Sequence, residues 1–268
     1  MNDSERSLFV PINYEMLSNK KIKIRCFLNV LDNSVYYPEE DRRKLSSDKY
    51  SYSKIGKILD LDRRTVSASM NEMFKKFPQM IEQTEDGDII IYNNQEDGQY
   101  RISTLSHRMI RDLYTCFNDN VIKLYFYLYR QYSYWTQVKK QPGFDFSLKT
   151  LCEALGYSSQ SGKNYKNIRS WLAQLLLNKM IGYVAIEKQT KYGPKIYYRL
   201  LYITDYVPIE LIMEEQGKSL DQCLSADITA IGGEKIIQIW GEIPQEKLED
   251  SSLPPVEEEL CNDNIFSY

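Results

Sequence analysis

Two stretches of this 268-residue chain carry bulky apolar side chains at the same offsets and lead to the same dipeptide. Val66, Met70 and Met73 match Ile168, Leu172 and Leu175, at +4 and +7, and the two sets are followed by Met80-Ile81 and Met180-Ile181. Such spacing puts three side chains on one side of a helix. Upstream, Leu59-Asp60-Leu61 matches Leu155-Gly156-Tyr157, and the second copy carries six more residues in its turn. A repeat of this kind means one supersecondary unit used twice. The chain is therefore expected to build two like modules.

In the first, residues 21–33 have helical spacing through Ile24, Phe27, Leu28 and Leu31. A polar loop is expected over residues 37–49. Residues 52–73 follow as two helices split by a turn, with Ile55, Ile58 and Leu59 buried in the first and Val66, Met70, Met73 and Phe77 in the second. Asp62 is placed to cap the second of these helices by accepting from its free backbone N–H groups. After Pro78, β-rich runs at 80–84 and 89–92 flank the turn Asp86-Gly87. The second module repeats the order. A β run at 100–104 leads into a helix from Ser106, and Asn118-Asp119-Asn120 breaks it. A further helix then lines up Val121, Leu124, Leu128 and Tyr132. Residues 148–176 read as helix, turn and helix, and runs at 180–186 and 196–203 flank Gly193-Pro194. Three helices and a two-stranded hairpin, twice over, is the winged-helix plan. The expected class is α+β and mainly helical, with a first winged-helix domain over residues 1–98 and a second, basic one over 99–206. An acidic, largely disordered tail is expected over 207–268, since its polar, Pro-bearing end buries too little to offset chain entropy.

Net charge is −3, but its distribution is uneven: −2 over residues 1–100, +11 over 101–200 and −12 over 201–268. A strongly basic middle beside an acidic end points to a polyanionic partner. The same counts argue against several other classes. No run of about 18 apolar residues occurs, so no membrane span or membrane partner is expected. The first ten residues lack an export pattern, and Cys26, Cys116, Cys152, Cys223 and Cys261 are scattered without a CxxC pair. Reduced thiols and a cytoplasmic location fit that usage. The one histidine, His107, stands alone, so neither a histidine metal site nor a histidine-based nuclease centre is expected. None of the 22 tyrosines has a catalytic partner set around it. Residues 156–164, GYSSQSGKN, miss the phosphate-binding loop in glycine spacing, in the residue after Lys163 and in following a helix. No enzyme activity and no cofactor are expected.

The chemistry instead lies on the second helix of each pair. Counting roughly 100° per residue from Ile168, the apolar side chains gather on one side and Lys163, Lys166, Asn167, Ser170 and Gln174 on the other. Cations suit phosphate oxygens, and amides suit purine edges in the major groove of double-stranded DNA. The corresponding residues in the first module are Arg63, Arg64, Thr65, Ala68 and Asn71, with Glu72 and Lys75 on the same side. The second hairpin adds Lys188, Lys191, Tyr192 and Lys195 for a phosphate or minor-groove contact. The first hairpin carries Glu82, Glu85, Asp86 and Asp88, which repel a phosphate backbone. A solvated helix face has the same composition, and a module that meets only proteins is the rival reading.

Residues 55–73, IGKILDLDRRTVSASMNEM, resemble the helix-turn-helix of bacterial regulators and initiators, which usually have Ala where Gly56 stands and Gly where Asp60 stands. Residues 1–205 as a whole resemble the tandem winged-helix replication initiators of plasmids and phages. That resemblance implies binding of repeated sites near an origin, dimerisation, and recruitment of host replication proteins. It maps the reading role onto Arg63, Arg64, Thr65 and Ala68, then Lys163, Lys166, Asn167 and Ser170. A transcription regulator using the same contacts is the neighbouring alternative. For the tail, which ends NDNIFSY, three roles stay open: solubility, docking to a replication protein, and competition for the basic module.

Overall fold

Short polar side chains set where most helices begin. Ser51, Asp62, Ser106, Asn118 and Ser147 each accept a hydrogen bond from a backbone N–H in the first turn that follows them. The computed structural model describes residues 7–93, 101–190, 193–204, 230–231 and 234–240. The first half runs β1 (Ser7–Pro11), α1 (Tyr14–Ser18), α2 (Ile24–Asn33), β2 (Val35–Tyr37), a 3-10 turn (Pro38–Glu40), β3 (Arg42–Leu45), α3 (Tyr52–Leu59), α4 (Arg63–Lys76), β4 (Ile81–Gln83) and β5 (Ile89–Tyr92). The second runs β6 (Arg101–Ser106), α5 (His107–Cys116), α6 (Asp119–Ser133) continued by a π-helical turn (Tyr134–Val138), β7 (Phe144–Phe146), α7 (Leu148–Ala154), α8 (Gly162–Leu177), β8 (Ile181–Thr190) and β9 (Gly193–Ile203). Two further strands follow, β10 (Ala230–Ile231) and β11 (Glu234–Trp240). The class is α+β.

Both expected hairpins form as antiparallel pairs, β4–β5 and β8–β9. Gly87 closes the first with φ +83°, a left-handed conformation that favours glycine. Each hairpin belongs to a larger sheet than the sequence suggests. The first lies in a four-stranded sheet ordered β2-β3-β5-β4, and the second in a five-stranded sheet ordered β10-β11-β8-β9-β7.

Two expectations need correction, and strand β11 is added within the expected tail. Residues 37–49 are not a loop throughout, because β3 occupies Arg42–Leu45. Its inward side chains are Arg43 and Leu45. Arg43 is only 7% exposed and donates to the Ser34 hydroxyl at 2.9 Å and the Ser34 carbonyl at 2.7 Å. A buried charge of this kind persists only when its donors are satisfied. Ile58, expected in the core, is 47% exposed. Gly56 is buried on that side instead, where a Cβ would lie 2.4 Å from the Leu61 carbonyl oxygen. Within 207–268, expected to be largely disordered, β11 pairs with β8 and extends the second sheet.

The two halves share one apolar core, and their backbones meet closely. β1 pairs with β6, across the expected boundary near residue 98, which itself lies outside the described residues. Asp119, at the start of α6, accepts from the Arg25 backbone N–H at 3.0 Å and from its guanidinium at 3.4 Å. Asp32 on α2 receives the Tyr114 hydroxyl at 2.9 Å and Arg111 at 3.2 Å, with His107 Nδ1 at 3.0 Å, all from α5. Gly156, at φ +72°, brings the α7–α8 turn against α1, where a Cβ would stand 2.3 Å from the Ser18 carbonyl oxygen. Lys123, 5% exposed, donates to the Asn19 carbonyl at 2.6 Å.

Two predictions test this junction. Gly156→Ala should destabilise the chain by roughly 1–3 kcal/mol, since both the left-handed backbone and the Ser18 carbonyl oppose a Cβ. Gly162→Ala, where a Cβ meets open space, should cost nothing measurable in the same urea titration. Burial lowers the Lys123 pKa from 10.5 to about 8. The unfolded chain then holds more protons than the fold above that pH, so stability should rise between about pH 8 and 9. Above that window the buried Cys26 thiol, pushed up to about 12, acts in the opposite sense. Lys123→Met should flatten the rise, and an unchanged rise in that variant would place its origin elsewhere.

Candidate nucleic-acid interface

α8 is amphipathic in the sense the sequence anticipates. Ile168, Leu172, Leu175 and Leu176 are buried, and Trp171 joins them against the Tyr157 ring, with centroids 5.4 Å apart. That fixes the rotation of the helix and leaves Lys163, Lys166 and Ser170 exposed, with Asn167 and Gln174 half-buried at one margin. Arg169 is exposed on the other margin, next to Ile168 in sequence, and belongs to the same face. Sequence reasoning misses it because a residue 100° from the core row can lie on either side of the boundary, and only the packing of Trp171 decides. Lys163, Lys166 and Arg169 form no ion pair within the described residues.

The approach to α8 is a rigid polar turn. Gln160 N–H donates to the Ser158 hydroxyl, the Asn164 amide donates to the Ser158 carbonyl at 2.9 Å, and the Tyr165 hydroxyl donates to the Ser159 carbonyl. Ser161, at the helix start, makes no capping bond. The first N–H groups of α8 therefore lack the side-chain acceptor that six other helices have, and they sit beside Lys163. A helix start in this state attracts anions through both its N–H groups and its dipole.

α4 is built differently. Asp62 accepts from Thr65 N–H at 2.9 Å and from the Thr65 hydroxyl at 2.6 Å. These bonds, the hydroxyl's first, hold the Asp62 carboxyl below the usual carboxylate range. Thr65, expected to face a partner, is half-buried and has committed its hydroxyl to the cap. Arg63, Arg64, Ala68 and Asn71 are exposed and, with Ser67, line a shallow open depression. Glu72, expected outward, is half-buried and accepts from the Asn19 amide at 3.1 Å. Its charge is thus turned toward α1 and away from the exposed arginines.

The hairpins also differ. In the first, Asp88 pairs with Lys44 and accepts from Ser47 N–H at 2.8 Å, while Glu82 accepts from the Tyr92 hydroxyl. In the second, the backbones of Lys188 and Lys195 are directly opposite in register. Lys191 and Tyr192 lie outside the described residues. His107 begins α5 and faces Asp32. Among the described residues no group of three or more His, Cys, Asp or Glu could hold a metal ion, and no helix is long and apolar enough to cross a membrane. No protein-family model, curated protein or solved structure matches the chain.

Asp62→Ala should lower the melting temperature by a few degrees at neutral pH, because two donors in the first turn of α4 lose their acceptor. The folded-state pKa is depressed, so this contribution is present above the unfolded value near 3.8 and is lost as pH falls through the folded one. The gap between the two proteins should therefore close on acidification. A gap that persisted at low pH would show that the carboxylate is not what holds the turn.

Proposed function

We propose that the chain is a sequence-specific binder of double-stranded DNA, built as two tandem winged-helix modules, and that it serves as an origin-binding replication initiator of a plasmid or phage. The observation that carries the DNA-binding reading is the outer face of α8. Lys163, Lys166, Arg169 and Ser170 are exposed together there, and the cations have no ion-pair partners within the described residues.

Charge and shape both support this reading. A helix of 16 residues is about 24 Å long, and a major groove about 12 Å wide admits it. Three unpaired cations on its outward side neutralise phosphates and release counterions. Asn167 and Gln174, at the margin of that face, are the amides able to read an adenine edge in two hydrogen bonds. The uncapped start of α8 supplies backbone donors for one further phosphate. The first module contributes Arg63, Arg64 and Asn71 from α4, with Ala68 allowing close approach. Its hairpin stays clear of phosphate, because Glu82 and Asp88 are held in local contacts and the exposed Glu85 and Asp86 repel the backbone. The initiator role rests on the resemblance of the whole two-module order, and on the shared core that makes both modules one platform.

Affinity for the preferred duplex should fall strongly with salt. For full-length protein carrying Lys163→Ala and Lys166→Ala, the log–log slope should flatten by about two, at about 0.9 for each phosphate no longer neutralised. The melting temperature should barely move, since both side chains are exposed. An unchanged slope in a folded variant would remove α8 from the interface.

A further inference from the structure

The acidic groups of residues 101–200 are largely occupied by neighbours. Asp112 faces Arg108 at 3.7 Å, Asp119 faces Arg25 at 3.4 Å, Glu153 faces Lys149 at 4.0 Å, and Asp145 takes both arms of Arg199. Among the described residues the cationic face of α8 has no such match. Past β11 the sequence is strongly acidic: residues 241–268 hold eight Asp or Glu and one Lys.

β11 determines where that charge is delivered. It runs antiparallel to β8 with Trp240 opposite Tyr183. Tyr183 is the third residue of β8, and three residues separate the end of α8 from β8. The last residue of β11 is therefore held near the C-terminal end of α8. Twenty-eight residues reach up to about 90 Å when extended, against about 24 Å for the full length of α8. A single exposed ion pair is weak, but a tether converts several such pairs into one intramolecular contact at high effective concentration.

We propose that residues 241–268 dock on the outer face of α8, through their carboxylates and Lys163, Lys166 and Arg169, and that duplex must displace them to bind. The docking stands on the charge match and the β11 anchor. Only the competition rests on the DNA-binding reading above.

The test uses the full chain in two measurements. The first couples carboxylates to lysine amines in contact with a zero-length carbodiimide, followed by peptide mass spectrometry. Intrachain links from Lys163 or Lys166 to residues 241–268 are expected, at a yield independent of protein concentration and suppressed by high salt. Their absence overturns the docking, whatever the chain does with DNA. The second titrates a duplex library with the variant Glu257→Gln, Glu258→Gln, Glu259→Gln. Affinity should rise at least about threefold at low ionic strength, with the gain shrinking as salt screens the contact. Links without any gain in affinity overturn the competition. Links in a chain that binds no duplex overturn the competition and the DNA-binding reading together while leaving the docking in place. Duplex binding without links leaves the DNA-binding reading standing and removes this inference.

Discussion

Burial of Ile168, Leu172, Leu175 and Leu176 fixes how α8 is rotated, and every functional statement about the second half depends on that rotation. Each such side chain contributes roughly 1.5–3 kcal/mol by leaving water. Turning the helix far enough to hide its lysines would expose that row and bury cations without partners, which costs far more. The buried row thus does two things at once. It holds α8 on α6 and the second sheet, and it forces Lys163, Lys166, Arg169 and Ser170 outward.

The same logic joins the halves. Three polar groups at the junction, Asp32, Asp119 and Lys123, each find a hydrogen-bond partner in the other half. Lys123 retains its place at a cost visible in its lowered pKa, and the Asn19 carbonyl is what makes burial tolerable. Gly156 is needed because the turn into α8 rests on the Ser18 backbone. The unit that carries the cationic face is therefore anchored to the first module by close backbone contact, hydrogen bonds and apolar packing. Under the proposed function this anchoring helps, since positions fixed before binding need not be ordered at the moment of contact.

Local chemistry is the legible part of the sequence. The cap at Asp62, the helix break at Asn118-Asp119-Asn120, the glycine turn at Gly87 and the periodic apolar rows of α2, α4, α6 and α8 act over a few residues and read directly. Tertiary choices are not legible. β3 hides in a polar stretch because its inward position is an arginine satisfied by Ser34, a partner nine residues upstream. Ile58 and Gly56 exchange roles because the α3–α4 turn folds the Leu61 carbonyl over the helix, and only a residue without a side chain fits beneath it. The turn accordingly places Asp60 at φ 51° and keeps glycine at 56. β11 escapes a sequence reading because its pairing with β8 joins residues about fifty positions apart, which no local pattern records. On α8, Lys163, Lys166 and Ser170 lie on the outer face as their spacing implies, whereas on α4 Thr65 and Glu72 are drawn inward by Asp62 and Asn19.

The central claim is that the outward face of α8 reads a duplex groove. Selection of the full-length protein against a random duplex library at near-physiological salt tests it most directly, when repeated with Asn167→Ala. Enrichment of one defined motif is expected, with relaxed base preference at a discrete position in the variant and the remaining positions unchanged. Enrichment of no motif, or the same motif with every position intact in the variant, would contradict it.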